Sequence, residues 1–333
     1  MKVLFVNEAQ VHELLTVAEC VPVMRAALST FSHGDTVLPL RSMVRLPDGS
    51  GLLGLMPGYL GEPCSFGLKV VSVMPGNHGT EFDSHQGVVM LFGLTHGEPL
   101  AILDATSITA VRTAAASGAA TDELAREDAG DLALIGSGTQ ARTHLAAMRA
   151  VRPLRRVRVW SRTKANAERF VRRESQKLGI PIEVSPNPEA AVQGADLICT
   201  TTSSHLPVLE GRWISPGAHV NAAGACFATS RELDTAAVAR ARFFTDCRES
   251  CVNEAGDFLI ARAEGAITDA HLLGEIGDVF AGRLTGRVSH EDVTVYESLG
   301  IAIEDLAAAH FILTRATERG AGTWLEWGGP ATA

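Results

Sequence analysis

The sequence predicts an α/β protein built from a doubly wound parallel sheet and a separate α+β unit. Three observations carry that prediction. From residue 130 to about 250, short apolar runs alternate with helical patterns, which is the rhythm of strand–helix–strand crossovers. The first of these runs, Leu132 to Ile135, ends in Gly136-Ser137-Gly138-Thr139-Gln140-Ala141 and passes straight into a helical pattern. Before residue 115 the rhythm differs: β-like runs follow one another with only Gly and Pro turns between them.

In chain order, the first element is a helix expected over 10–32. Strand-like runs follow at 42–46, 51–56, 66–73, 87–93 and 99–103, the mark of a largely antiparallel unit. A helix over 107–125 leads into the second half. Its strands are expected at 132–135, 157–160, 182–184, 196–200, 218–222 and 242–245, with helices that include 165–178 and 188–193. A last helix, expected over 293–318, has no partner in the second half and is assigned back to the first. The domain division that follows is 1–118 with 302–333, and 119–301.

The glycine run has a physical reading. Gly136 permits a tight turn, Gly138 lets backbone approach a pyrophosphate, and Ala141 is small enough for the helix to lie on its strand. Amides that open the helix, those of Thr139 and Gln140 among them, then face the phosphate oxygens. The bare spacing also marks ordinary turns. The strand before it and the helix after it favour a Rossmann dinucleotide site. After the next strand, where an acid normally holds the ribose 2′-OH, stand Ser161-Arg162-Thr163-Lys164. Forked guanidinium donors suit a 2′-phosphate, so NADP(H) is preferred over NAD(H), with a basic surface turn as the alternative. Thr200-Thr201-Thr202 and Asn221-Ala222-Ala223-Gly224 follow two further strands. That places Thr200, Thr201 and Ala223 on the binding edge.

The 333 residues suffice for two cores, and a net charge of −9 excludes a phosphate-backbone binder of nucleic acid. The apolar segments are too short and interrupted for a membrane span, and MKVLFVNEAQ meets polar residues too early for a signal peptide. Cys20, Cys64, Cys199, Cys226, Cys247 and Cys251 have neither CxxC spacing nor secreted density. Reduced thiols in the cytoplasm and no metal site are expected.

Three cations interrupt apolar segments: Arg41 in LPLRSMV, Lys69 in FGLKVVSV and Arg112 in SITAVRTAAAS. Each alone could be a surface cation with a buried stem. Together they form the clamp that a carboxylate substrate needs. Losing Lys69 or Arg112 is expected to depress turnover and leave the fold intact; Arg45, four residues past Arg41, could stand in for it.

The order of motifs resembles the ornithine cyclodeaminase/mu-crystallin family over nearly the whole chain. The segments are LPLRS (38–42), GLLGLMPGY (51–59), GLKVVS (67–72), DSHQGVVMLF (83–92), ITAVRTAAAS (108–117), IGSGTQA (135–141), VWSRTKANAERF (159–170), GAHVNAAGA (217–225), RELD (231–234), EAGD (254–257) and ESLGIAIEDLAAA (297–309). The resemblance implies a homodimer whose first domain binds substrate and dimerises while a Rossmann domain binds NAD(P). It implies Arg41, Lys69 and Arg112 around the substrate carboxylate, with Glu254 approaching the ligand. It also implies Ser84, His85, Arg112, Gly136, Ser137, Gly138, Ser161, Arg162, Thr163 and Ser298 near the cofactor. A packed histidine and a capping serine are the plain alternatives for His85 and Ser298.

One position divides the family by chemistry. Cyclodeaminases carry an Asp in a G-x-D-x-P-G-K stretch, and counting back from RELD puts Cys226 there, with no Pro-Gly-Lys after it. A thiol with an ordinary pKa of about 8.5 is a poor proton handler near neutrality. Cys226 is expected to be a small wall of the substrate pocket. The chain therefore resembles the ketimine reductase branch, with reduction of Δ1-pyrroline-2-carboxylate or its six-membered homologue as the implied activity. An amino-acid or open-chain imine dehydrogenase, an ornithine cyclodeaminase and a non-catalytic ligand-binding protein are the alternatives.

Overall fold

The computed structural model describes residues 1–77 and 80–328. The chain forms two compact units: Met1–Arg112 with the chain from Ile301, and Thr113–Gly300. These divisions fall at 112/113 and 300/301, where the sequence suggested 118/119 and 301/302.

The chain opens with β1 (Lys2–Val6), α1 (Glu8–Leu14) and α2 (Val17–Ser32). Strands β2 (Thr36–Val37), β3 (Ser42–Arg45), β4 (Leu52–Leu60), β5 (Ser65–Val73), β6 (His85–Phe92) and β7 (Pro99–Asp104) follow, then α3 (Ala105–Leu124). The second unit runs β8 (Asp131–Ile135), α4 (Thr139–Val151), β9 (Arg156–Trp160), α5 (Lys164–Leu178), β10 (Ile182–Val184), α6 (Pro188–Val192) and β11 (Leu197–Thr200). It continues with β12 (His219–Ala222), α7 (Thr235–Ala239), β13 (Arg242–Thr245), α8 (Arg248–Glu254), α9 (Gly256–Ala263), β14 (Leu272–Glu275), α10 (Ile276–Phe280) and β15 (Thr294–Glu297). The chain then returns to the first unit as α11 (Ala302–Arg319) and β16 (Thr323–Glu326).

In the first unit the sheet order is β16-β1-β7-β6-β5-β4-β2, with β3 paired to β4. Among the described residues of this unit only β1 and β7 pair parallel. Helix α11 lies on one face of this sheet, where Gly58 leaves room for Ala302 and Leu306; a Cβ there would meet them at 3.3 and 3.4 Å. The expected single helix over 10–32 is two helices. Thr16 caps α2 through a reciprocal box, its hydroxyl accepting from the Glu19 amide while Glu19 accepts from the Thr16 amide, and the chain turns there. Helix α3 starts before the expected 107 because Asp104 accepts from the amide and hydroxyl of Ser107 at 2.7 and 2.5 Å.

In the second unit the sheet order is β10-β9-β8-β11-β12-β15-β13-β14, and every pairing is parallel. Strand β8 sits in the middle, so Leu132 to Ile135 are wholly buried and read as a continuous apolar run rather than an alternation. The order reverses between β8 and β11, the switch point at which such sheets bind ligands. One expectation fails here. The helix expected from 293 is a strand over 294–297: Val295 and Tyr296 are fully buried between β12 and β13, and the helix starts only at Ala302. Strands β1, β2, β14 and β16 also lie outside the expected runs.

Candidate active site

Lys69 lies on β5 opposite Met56 of β4 and Val89 of β6, both buried. It therefore points to the α11 face and not to solvent. Only 3% of the residue is exposed, and 4% of Arg112 on α3. Charges so deep need partners. Lys69 Nζ donates to both oxygens of Asp305 at 3.0 and 3.2 Å and to the Thr109 hydroxyl at 3.1 Å. Arg112 donates through Nε to Asp305 at 2.9 Å and through Nη1 to Glu304 at 2.6 Å. Both carboxylates stand in the first turn of α11, where the helix dipole favours negative charge, and both are fully buried.

The electrostatics follow from this packing. Burial pulls Lys69 from its ordinary range down to about 8, with Asp305 pulling the other way and Arg112 and Arg41 adding to the fall. Burial alone would raise Asp305; Arg112 and Lys69 outweigh it and hold the group below the usual carboxylate range. Burial also opposes the Arg112 charge, and Asp305 and Glu304 restore it. Arg41 is half-buried just before β3, and its charge reaches Lys69. Arg45 is exposed at the far end of β3. The three cations are thus brought together, as the sequence suggested. They are answered by two buried acids that it did not suggest.

All three N–H groups of Lys69 are engaged, so it acts on a further anion chiefly by its charge. No described residue accepts from Nη2 of Arg112, whose two N–H groups remain for a ligand. The fold-neutral loss expected for Arg112 does not stand, because its removal leaves Glu304 and Asp305 buried with less countercharge. His85 begins β6 and is exposed, yet protein crowds its ring; burial and then the Lys69 charge lower its pKa, against Asp83. Ser84 Oγ lies 3.0 Å from His85 Nδ1.

The second unit builds its edge from the strand ends. Gly136 has φ +120°, and a Cβ there would come within 2.7 and 2.8 Å of the Thr201 hydroxyl and carbonyl. Thr201 is fixed in turn, its amide and hydroxyl donating to the Ile135 carbonyl at 2.9 and 3.2 Å. Gly138 caps α4 without a side chain, and a Cβ on it would meet nothing within 4 Å. The first-turn amides of Thr139, Gln140 and Ala141 have no acceptor within the helix. Ser137 Oγ donates to Ser161 Oγ at 3.0 Å, which joins the glycine turn to the turn after β9. Arg162, Thr163 and Lys164 are exposed there, and Thr163 precedes α5 without capping it by its side chain.

Thr200 is buried, and its carbonyl accepts from the Ala223 amide at 3.0 Å. Ser298 donates its amide to Ala222, while its buried hydroxyl has no partner among the described residues. An orphaned hydroxyl, a glycine that admits no Cβ and an uncapped helix N-terminus fit a dinucleotide across this edge. Cys226 is half-buried in the loop after β12, and Glu254 closes α8. Glu304 and Asp305 are the residues that sequence reasoning missed. The signal was present: two adjacent acids inside IAIEDLAAA have no polar face to occupy.

The sequence pattern of the ornithine cyclodeaminase/mu-crystallin family matches residues 1–320. The chain belongs to that family. A Δ1-pyrroline-2-carboxylate reductase of Bacillus cereus is 34% identical over 328 residues, covering 98% of this chain and 100% of the relative. The ketimine reductase mu-crystallin of Mus musculus is 36% identical over 310 residues, covering 92% and 94%. Among solved structures, the Thermococcus litoralis Δ1-pyrroline-2-carboxylate reductase in complex with NADH and L-proline has a TM-score of 0.94 at 34% identity. That match covers 96% of this chain and 99% of the other.

Proposed function

We propose that this family member is an NAD(P)H-dependent reductase of a cyclic ketimine carboxylate. The substrate would be Δ1-pyrroline-2-carboxylate, or the six-membered Δ1-piperideine-2-carboxylate. The observation that carries this reading is the Arg112 guanidinium, buried, held by Glu304 and Asp305, with Nη2 left to bind. Such a group is suited to one substrate carboxylate. The relatives named above act on that substrate class, and the thiol at Cys226 favours reduction over cyclodeamination.

The residues divide the work. Arg112 would hold the carboxylate directly, Lys69 would add its charge, and Arg41 would close the clamp. Glu254 is proposed beside the ligand and Cys226 as a small neutral wall. Gly136, Ser137, Gly138, Thr139 and Gln140 would cradle the pyrophosphate, with Thr200, Thr201, Ala223, Ser298, Ser84 and His85 completing the cofactor contacts. Bound NAD(P)H supplies the hydride. No acid is required at position 226, because a cyclic imine can arrive protonated from solution. A panel of five- and six-membered ketimine carboxylates, followed by NADPH consumption, tests the reading.

We further propose NADPH over NADH. Arg162 stands exposed after β9, next to Ser161 and Thr163, and no acid lies at that strand end. Arg162→Ala should remove the preference. Charge-assisted phosphate contacts contribute about 1.5–3 kcal/mol, or roughly ten- to hundredfold in affinity. Equal binding of both cofactors by the native protein would contradict the reading of this turn.

A homodimer is proposed as well. The sheet face opposite α11 carries Val44, Leu53 and Phe66, all exposed, in register with Leu55, Leu68 and Met90. An apolar face of that kind calls for cover, and a second copy supplies it; the mass of the assembly in solution tests this. We propose a cytoplasmic location on the scattered spacing of the six cysteines.

A further inference from the structure

One carboxylate on the dinucleotide edge has no part in the reading above. Glu232 is fully buried. Its Oε1 accepts from the amide and the hydroxyl of Thr202, each at 2.6 Å, and its Oε2 accepts from the Gly224 amide at 2.8 Å. Its own backbone is pinned on both sides. The Glu232 amide donates to Asp257 at 2.9 Å, and the Glu232 carbonyl accepts from Val208 and Leu209 at 2.7 and 2.9 Å. The side chain therefore spans from the loop after β11 to the loop after β12.

Two features show that this contact is built rather than incidental. A Cβ on Gly224 would overlap both the Glu232 carboxylate and the Thr202 carbonyl, so only glycine permits the approach. Three donors also converge on two acceptor oxygens, which a carboxylate can serve and its neutral amide cannot. Burying the charge is costly, no cation among the described residues pairs with it, and burial lifts its pKa to about 7 despite the donors. A fold needing only a packed side chain here would do better with an apolar one.

We propose that Glu232 is a positioning residue: by clipping Thr202 to Gly224, it fixes the loop bearing Ala223 and Cys226, and with it the nicotinamide half of the cofactor site. The assignment to that half follows from the sheet. The glycine turn after β8 and the basic turn after β9 take the phosphates and the adenosine side, which leaves β11 and β12 to the other nucleotide. The inference rests on the dinucleotide reading, and not on the identity of the imine.

Glu232→Gln tests it with two readouts that need no substrate. Amide hydrogen exchange on the cofactor-free protein should quicken by at least about tenfold at Gly224, or at Thr202 if the amide group turns the other way, the size of a lost charge-assisted bond. Bound NADPH should keep its affinity within about threefold, since its phosphate contacts lie elsewhere, while the nicotinamide emission loses anisotropy. A third readout, imine reduction, should lose at least about tenfold in kcat with a smaller change in KM. If the protein reduces no imine, the first two readouts still decide. Native exchange rates together with native nicotinamide anisotropy would overturn the proposal. Should Glu232→Gln fail to fold, Thr202→Val removes the hydroxyl that donates to Oε1, and native exchange at the Thr202 amide together with native nicotinamide anisotropy in that variant would overturn it equally.

Discussion

Asp305→Ala should destabilise the protein by about 3–5 kcal/mol, the cost of leaving buried charges unpaired. Among the described residues Asp305 joins Lys69 to Arg112, accepting from both, and none of the three side chains exceeds 5% exposure. Without it, Lys69 keeps only the Thr109 hydroxyl, and Arg112 keeps only Glu304. Urea unfolding of the variant measures the loss. Adding Lys69→Met should recover part of it, because one of the stranded charges is then gone. A loss below about 1 kcal/mol would mean that water reaches these groups and the pair is not the buried network described.

Lys69→Met on its own should weaken binding of L-proline, the proposed product, to the NADP⁺ complex by at least about tenfold at neutral pH. Asp305 keeps Arg112 in this variant, so the fold should survive where Arg112→Met would endanger it. The pH dependence gives the sharper test. The ammonium attracts a carboxylate only while protonated, and its pKa is lowered to about 8, first by burial. Proline should bind the native protein most tightly below that pH and progressively less well above it. The proline amine ionises well above this range and does not confuse the reading. The methionine variant should show no such fall in affinity. Native-like affinity with a native-like profile would leave Lys69 as no more than a partner of Asp305.

The second unit was the more legible half, for a physical reason. Strands buried on both faces read as apolar runs, and Gly136 marks a turn that other residues cannot make. The three cations stand out as charges inside apolar segments, and the family resemblance adds their place around a carboxylate. What could not be read was the partner of each cation. Lys69 and Asp305 are far apart in sequence, and only the register of β5 and the packing of α11 join them. The same holds for Glu232, whose carboxylate meets Thr202 because β11 and β12 are neighbours in the sheet. The helix expected from 293 failed because a short buried run can satisfy helical and strand periods alike. The break at Thr16 is legible in the sequence, because Thr-x-x-Glu is a helix start.

The choice between reduction and cyclodeamination turns on Cys226, and one comparison on the native protein measures it. NADPH consumption with Δ1-pyrroline-2-carboxylate is set against ammonia release from ornithine with NAD⁺, at equal protein concentration. The account predicts imine reduction and no ornithine-dependent ammonia, because a thiol is a poor replacement for the carboxylate that handles protons in the second reaction. Cys226→Ser should retain much of the reduction. Ammonia release at a rate comparable to imine reduction would contradict the account, and so would a folded, NADPH-binding Cys226→Ser variant unable to reduce the imine.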